Sequence, residues 1–506
     1  MLHDRDQTLT PLLSQLQRSA RSNTAPFHTP GHHKGNAIPE ILKSWLGESI
    51  FQGDLPELPE LDNLFAPEGI IHHAQDLAAV AWGADRTYFL TNGSTAGILA
   101  AILTVCNPGD AVVVPRNVHR SVISGLILSG ARPVFVIPRY DDDVDIVHGV
   151  EISDLKAILD ANPAIKAILI VSPTYYGVCS DIRSIAQLAH DRDLPLIVDE
   201  AHGAHFGFHP ALPKSALSYG ADLVIQSTHK TLSAFTQASM LHQQGKRINL
   251  DRLSQSLALV QSSSPNYLLL ASLDAARMQM ATQGEQLLGL AIDRVNQVRS
   301  QLKSIPGLRL LNHESNHDTV SKFSVFTIDP LRLTVNLKNL NLNGFLADEI
   351  LHEEYGVTCE LPSTQNLTFI FTHGTTDQDC DRLIEGFKQL ANRPPTPKVE
   401  NANLIQSIAI QVPLPTGDLG ESFTPPHLSP REAFFASTQT CPTHQAIGHL
   451  SADLICPYPP GIPLIIPGEI ITQTALDSLT QLLNSGGTIT GLSDPTFMTL
   501  RIINHS

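Results

Sequence analysis

Between residues 87 and 228 the chain carries six short apolar runs separated by stretches of helical character, and this alternation limits the fold more than any other feature. The runs are TYFL at 87–90, AVVVPR at 111–116, RPVFVIP at 132–138, AILIVSP at 167–173, LPLIVDEA at 194–201 and ADLVIQST at 221–228. None alternates apolar with polar residues, as a strand with one wet face would. Strands buried on both faces belong to a mainly parallel sheet covered by helices. The expectation is an α/β chain with an open, doubly wound sheet.

The flanking regions read differently. Thr10-Pro11 followed by Leu12, Leu13 and Leu16 predicts a short capped amphipathic helix. Residues 27–64, rich in Pro, Gly, His and acidic side chains, predict an ordered loop region. Residues 250–305 carry apolar side chains at helical spacing. Further on, KFSVFTI, FLADEILHEEYG, LTFIFTHG and DRLIEGFKQL suggest a small α+β domain, and ANRPPTPKVENAN at 391–403 reads as a linker. The 506 residues allow about three structural units. The expected division is an N-terminal arm and active-site loop at 1–65, a large domain at 66–315, the small α+β domain at 316–395 and a C-terminal domain at 396–506.

Acidic residues outnumber Lys plus Arg by 49 to 33, a net charge of −16 that repels phosphate backbones and argues against a nucleic-acid partner. The six cysteines form no C-x-x-C pair and read as reduced, mostly buried thiols. The first residues contain two aspartates and no continuous apolar stretch, and no run approaches the ~20 apolar residues a membrane helix needs. A cytoplasmic chain with no membrane partner is expected.

In a parallel sheet the functional loops lie beyond the carboxyl ends of the strands. Three groups fall there. Thr91-Asn92-Gly93-Ser94-Thr95 joins a strand to a helix, with Gly93 permitting a sharp turn and Ser94 and Thr95 at the helix start; this suits a phosphate or carboxylate cradle, and equally an ordinary helix cap. Asp199 ends LPLIVD, where a carboxylate suits a cation, a metal or a protonated ring nitrogen, or simply caps a turn. Asp199-Glu200-Ala201-His202 also spells a helicase ATPase motif. The phosphate loop G-x-x-x-x-G-K-[ST] that such enzymes need is missing, since Gly245-Lys246 is followed by Arg247. Ser227-Thr228-His229-Lys230 follows the strand ADLVIQ, and a partly buried lysine near positive charge becomes a nucleophilic amine.

Each of these has a bland reading by itself. Together, a lysine, an aspartate and an anion cradle beyond three strands are what pyridoxal phosphate requires. His119, in VVVPRNVHRS, could stack on such a ring or serve as a helix-start residue. His202, His205 and His209 hint at a metal, but Gly203 and Gly207 argue against the rigid helix that would present them together, and no metal site is expected.

With these residues assembled, the chain resembles the bacterial ornithine/lysine/arginine decarboxylase family of fold type I (aspartate aminotransferase-like) pyridoxal-phosphate enzymes. The resemblance rests on HTPGHHKG at 28–35, LTNGSTAG at 90–97, PRNVHRS at 115–121, SPTYYGV at 172–178, VDEAHGAHF at 198–206, QSTHKTLSAFTQASMLH at 226–242 and CPYPPGIPLIIPGE at 456–469. It implies Lys230 as the lysine that attaches to the cofactor, Asp199 on its pyridinium nitrogen and His119 on its ring face. It further implies Gly93, Ser94, Thr95, Ser227 and His229 around the phosphate, His202 near cofactor and substrate carboxylate, and Thr174 toward the ring hydroxyl.

The implied activity is decarboxylation of a basic L-amino acid, with arginine to agmatine ahead of lysine to cadaverine and ornithine to putrescine, feeding polyamine synthesis. The implied assembly is a homodimer or larger homo-oligomer, of a short form without the N-terminal wing domain. The 28–64 segment is expected at the subunit interface, where Asp54, Glu57, Glu60 and Asp62 are candidates to attract a cationic substrate. An aminotransferase or another fold type I lyase would share the lysine, aspartate and cradle, and the C-terminal proline-rich segment weighs against it. A non-catalytic regulatory member would have little reason to keep Lys230 and Asp199.

Overall fold

A computed structural model describes residues 5–311, 326–393, 428–458 and 461–504. The chain packs as two compact units, Met1–Val105 with Pro195–Leu287, and Cys106–Leu194 with Leu288–Ser506. The expected boundaries at 315/316 and 395/396, the linker from residue 394 onward and residues 322–325 of KFSVFTI lie outside the described residues.

In the first unit the strands Arg86–Leu90, Ser239–Gln243, Leu223–Gln226 and Leu196–Asp199 lie side by side in that order. The last two run parallel, and the pairings made by Ser239–Gln243 are antiparallel. Ser239–Gln243 is not foreshadowed by the apolar runs. Its sequence SMLHQ carries three polar residues, yet all five are buried, and His242 is accommodated by hydrogen bonds to Thr87 and Gln226. The helix Gly93–Val105 buries Ile98, Ala101 and Ile102 on its inner face; each fully buried aliphatic side chain contributes roughly 1.5–3 kcal/mol.

The expected N-terminal helix is present at Pro11–Ala20, with Leu12 and Leu16 buried. Its cap differs from expectation. The Thr10 hydroxyl bonds that of Ser14, and the amides of Leu12 and Leu13 donate instead to the Asp274 carboxylate at 3.0 and 3.2 Å. Asp274 and Arg277 are fully buried and form an ion pair, and Arg277 also donates to the carbonyls of Gln7 and Leu9. Residues 28–64 also differ from a plain loop. They contain the short helical elements His33–Gly35, Glu40–Leu46, Ser49–Gly53 and Pro59–Leu61, with Pro59 supplying the preset φ that starts the last of them.

In the second unit the strands Ile165–Val171, Ala111–Pro115 and Arg132–Val136 are parallel neighbours in that order. Within the central sheet parallel ladders outnumber antiparallel ones, and the α/β class with a mostly parallel central sheet is as the apolar runs indicate. A separate antiparallel sheet has the order Arg309–Leu310, Arg332–Asn336, Asn366–Ile370, Leu361–Pro362, accompanied by helices Gly344–Tyr355 and Asp377–Asn392. Of KFSVFTI, Thr327–Ile328 form a short strand paired with Val178–Cys179. The longer strand is Arg332–Asn336, whose buried polar ends hid it. The C-terminal part packs Ile455, Leu464, Ile465, Ile471, Leu479, Leu500 and Ile502 into a core of its own.

Five of the six cysteines are buried and Cys441 is partly exposed. Among the described residues no helix is long and apolar enough to cross a membrane.

Candidate active site

The first unit gathers most of the predicted residues at the carboxyl ends of its strands. Beyond Leu90 the chain turns through Thr91 and Asn92 into Gly93, whose φ of +75° lies where a Cβ is strained. The turn is held from outside: the Thr91 amide donates to Gln261 Oε1 at 3.0 Å, the Thr91 carbonyl accepts from Gln237, and Asn92 Oδ1 accepts from the Ser262 amide. The helix Gly93–Val105 therefore begins at a fixed place, with unpaired amides and a partial positive charge of about half a unit at its start. Ser94 is half-buried and Thr95 exposed there. Ser227 Oγ donates to Ser94 Oγ at 2.7 Å, joining two of the predicted phosphate residues.

Gly97, the last residue of LTNGSTAG, is a positioning residue that sequence reasoning missed. A Cβ on it would meet Leu90 Cδ1 at 2.8 Å and Ile225 Cγ2 at 2.9 Å. Its absence lets the helix settle onto two strands; the repeated glycine in the motif was the available signal.

Asp199 is the last residue of its strand and 6 % exposed. Burial pushes its carboxyl above the ordinary range, while the charge of Lys230 and a hydrogen bond from the Ala201 amide at 3.2 Å oppose that rise. Lys230 Nζ lies 3.1 Å from His202 Nε2. Burial, and then the Lys230 charge, lower the neighbouring His229 imidazole. His202 and His205 are buried in successive turns rather than on one helix, as Gly203 and Gly207 suggested.

His119 and Thr174 lie in the second unit. His119 caps the helix Arg120–Ser129: its Nδ1 accepts from the Ser121 amide at 3.2 Å. An amide can only donate, so Nδ1 is unprotonated and a neutral ring carries its proton on Nε2. Thr174 is buried, and its Oγ1 accepts from the Val178 amide at 3.2 Å.

The family model described as the Orn/Lys/Arg decarboxylase major domain matches residues 10–379, and the corresponding C-terminal domain matches 418–493. The chain belongs to this decarboxylase family. An arginine decarboxylase of Bacillus subtilis is 37% identical over 98% of each chain. One from Halalkalibacterium halodurans is 38% identical over 99% of this chain and 98% of its own. The crystal structure of a lysine decarboxylase from Francisella novicida superposes with a TM-score of 0.82 at 23% identity, covering 99% of this chain and 82% of that one, and shows the shared fold. The chain is thus a pyridoxal-phosphate-dependent carboxy-lyase, and the helicase, aminotransferase and non-catalytic readings fall away.

The decarboxylase's residues fit that cofactor. A buried carboxylate stands beyond one strand, a lysine amine beyond the next, and a hydroxyl pair meets at a helix start. Thr228 Oγ1, buried beside Ser227, has no hydrogen-bond partner among the described residues, so the donor set is one acceptor short.

Behind this face lies a polar chain that sequence reasoning missed, having treated Glu200 merely as a letter of a decoy motif. Glu200 is 2 % exposed and accepts from Ser215 Oγ, the Ala216 amide and Gln226 Nε2 at 2.7–2.8 Å. Burial nevertheless pushes its carboxyl up to about 7. Gln226 Oε1 faces His242 Nε2 at 3.2 Å, and His242 Nδ1 meets Thr87 Oγ1 at 2.8 Å. Because the Gln226 amide nitrogen is committed to Glu200, its oxygen must accept from His242. Burial lowers the His242 imidazole to about 3, so it stays neutral. Adjacent to Asp199 and Ser227, this chain ties the ends of two strands together.

The four acids of the N-terminal segment are engaged locally. Asp54 meets His32 at 3.1 Å, Glu57 accepts from Asn63, and Glu60 accepts from Ser19. Asp62 accepts from the amides of Gly69 and Ile71 at the start of the helix Ile70–Trp82. Their structural roles are therefore the ones on view.

Proposed function

We propose that the decarboxylase acts on L-arginine, releasing CO2 and agmatine for polyamine synthesis. The observation carrying this reading is the end-to-end similarity, at 37–38% identity, to proteins named arginine decarboxylase; the lysine decarboxylase structure stands at 23%.

In this reading Lys230 holds the cofactor covalently, Asp199 keeps its pyridinium nitrogen protonated and His119 lies on its ring face. Gly93, Ser94, Thr95, Ser227 and His229 hold its phosphate, with Thr174 toward its ring hydroxyl. Pyridoxal phosphate, when bound, supplies an electron sink for the pair left at Cα as the bond to the carboxylate breaks. His202 orients the substrate carboxylate and, through its contact with Lys230, the amine. Lys230 Nζ or His119 Nε2 carries the proton that is delivered to Cα. Asp199, raised by burial, is poised to share its charge with a cation rather than with water. The Ser94–Ser227 pair adds two hydroxyls to the helix amides as anion donors.

The reading includes the four-part division at 65/66, 315/316 and 395/396, a homodimer or larger homo-oligomer, and a cytoplasmic location. The test is CO2 release by purified, cofactor-supplied protein offered arginine, lysine and ornithine separately. Release from arginine, abolished in Lys230→Ala, is the expected result. Release from lysine or ornithine instead would overturn the substrate assignment and leave the family untouched.

A further inference from the structure

The proline-rich segment 456–469 identifies the family but has no part in the chemistry above. Its contacts indicate one. The loop Arg116–His119 is four residues long and links the strand Ala111–Pro115 to the helix Arg120–Ser129. Its first residue, Arg116, is 4 % exposed. The guanidinium donates from Nη1 to the Pro463 carbonyl at 2.6 Å, and from Nη2 to the Leu464 carbonyl at 3.0 Å and to Glu469 Oε2 at 2.9 Å. Glu469 Oε2 also accepts from the Ile466 amide at 3.0 Å, so the acid closes its own turn while holding the arginine. Phe135 lies 5.3 Å below the guanidinium carbon.

The composition of the segment explains why it can do this. Proline has a fixed φ and no amide hydrogen, so a run containing Pro457, Pro463 and Pro467 is pre-set and leaves carbonyls uncommitted to helix or sheet. Those carbonyls are available to a planar five-donor guanidinium, which lysine's point charge cannot replace. The segment is itself anchored: the Ile455 amide donates to Ile465 O at 2.9 Å and the Gly468 amide to Ser451 O at 2.8 Å. At its other end Cys456 is fully buried within the fields of Arg120, which follows the loop, and Arg116, which begins it.

We infer that the segment 463–469 fixes His119 through Arg116, making Arg116 and Glu469 positioning residues for the imidazole. The inference rests on the proposed place of His119 on the cofactor ring. The Arg116 amide is tied to Val136 O at 3.0 Å and His119 O accepts from the Val122 amide at 2.9 Å, so both ends of the loop are held by backbone. The guanidinium clamp then fixes the loop's lateral position, and with it the ring that its last residue carries.

The experiment compares the holoenzymes of His119→Ala, Arg116→Met, Glu469→Ala and Glu469→Gln by visible circular dichroism of the bound cofactor, by pyridoxal-phosphate affinity and by kcat. Arg116→Met and Glu469→Ala are expected to move the visible dichroism toward that of His119→Ala and to weaken affinity about tenfold. Glu469→Gln, which retains an oxygen acceptor, is expected within about twofold of wild type. Wild-type dichroism and affinity in Glu469→Ala overturn the inference. Equal impairment of Glu469→Gln and Glu469→Ala overturns it too, since a purely structural lesion would not distinguish them. If Arg116→Met does not fold, the quarter-exposed Glu469 pair carries the test alone. If His119→Ala leaves the dichroism unchanged, the reading of His119 itself fails, an outcome distinct from failure of the clamp.

Discussion

Lys230 Nζ sits 3.1 Å from Nε2 of His202, a residue 28 positions earlier in the chain. A charged amine at this distance donates to Nε2, which then leaves the imidazole proton on Nδ1; a neutral amine can instead accept from Nε2. The contact fixes where the amine rests and couples its proton to the tautomer of the imidazole. Replacing His202 with Ala is expected to lower kcat by about 10²-fold with a smaller effect on pyridoxal-phosphate affinity, measured by steady-state CO2 release and by absorbance titration. Loss of cofactor with unchanged kcat at saturation would contradict this role.

Asp199→Asn keeps the shape of the site and removes a buried negative charge. The expected outcome is a fall in kcat of about 10² to 10³-fold, the range seen when one electrostatic stabiliser is removed. Single-turnover CO2 release on cofactor-saturated protein isolates the chemical step.

Gly97→Ala tests the close approach of the helix Gly93–Val105 to the sheet. In an exposed helix this exchange would add up to about 1 kcal/mol of stability. Here the added methyl meets Leu90 and Ile225 below 3.0 Å, so a net loss of about 1–3 kcal/mol is expected. Denaturant midpoints give the sign, and cofactor affinity reports whether the helix start has shifted.

Glu200 makes stability depend on pH in a defined direction. Its carboxyl is raised from 4.5 to about 7 by burial, so the folded protein holds that proton more tightly than the unfolded chain. The linked stability is fully present below about pH 4.5 and is lost as pH rises through about 7, on the order of 3 kcal/mol across the window. The difference between wild type and Glu200→Gln, followed by denaturant unfolding from pH 4.5 to 7.5, should fall with rising pH. A flat difference would place the acid's ordinary value in the folded state.

What could be read in advance follows a physical divide. The parallel strands were legible because burial on both faces leaves an apolar run, and the placing of Asp199 and Lys230 at strand ends was legible because each follows such a run. Ser239–Gln243 was not, since its buried polar side chains are satisfied by partners far away in sequence, Thr87 and Gln226 for His242. Arg332–Asn336 was hidden likewise, its Asn336 donating to Val144 O. Glu200, Gly97 and Arg116 escaped notice for a related reason: each owes its role to what tertiary packing places against it, and no local pattern announces that.

The Asp274–Arg277 pair bears on how the protein can be handled. Both charges are completely enclosed, and their other hydrogen bonds go to residues 7–13, to the backbone of Gln7, Leu9, Leu12 and Leu13 and to the Gln7 side chain. That opening stretch therefore acts as a plug for two charges. Cutting it away would leave the ion pair intact but strip it of the hydrogen bonds that complete it and open it to water. Affinity tags and fusion partners at this end need a spacer ahead of Gln7, and deleting residues 7–13 should destabilise the enzyme without touching its catalytic residues.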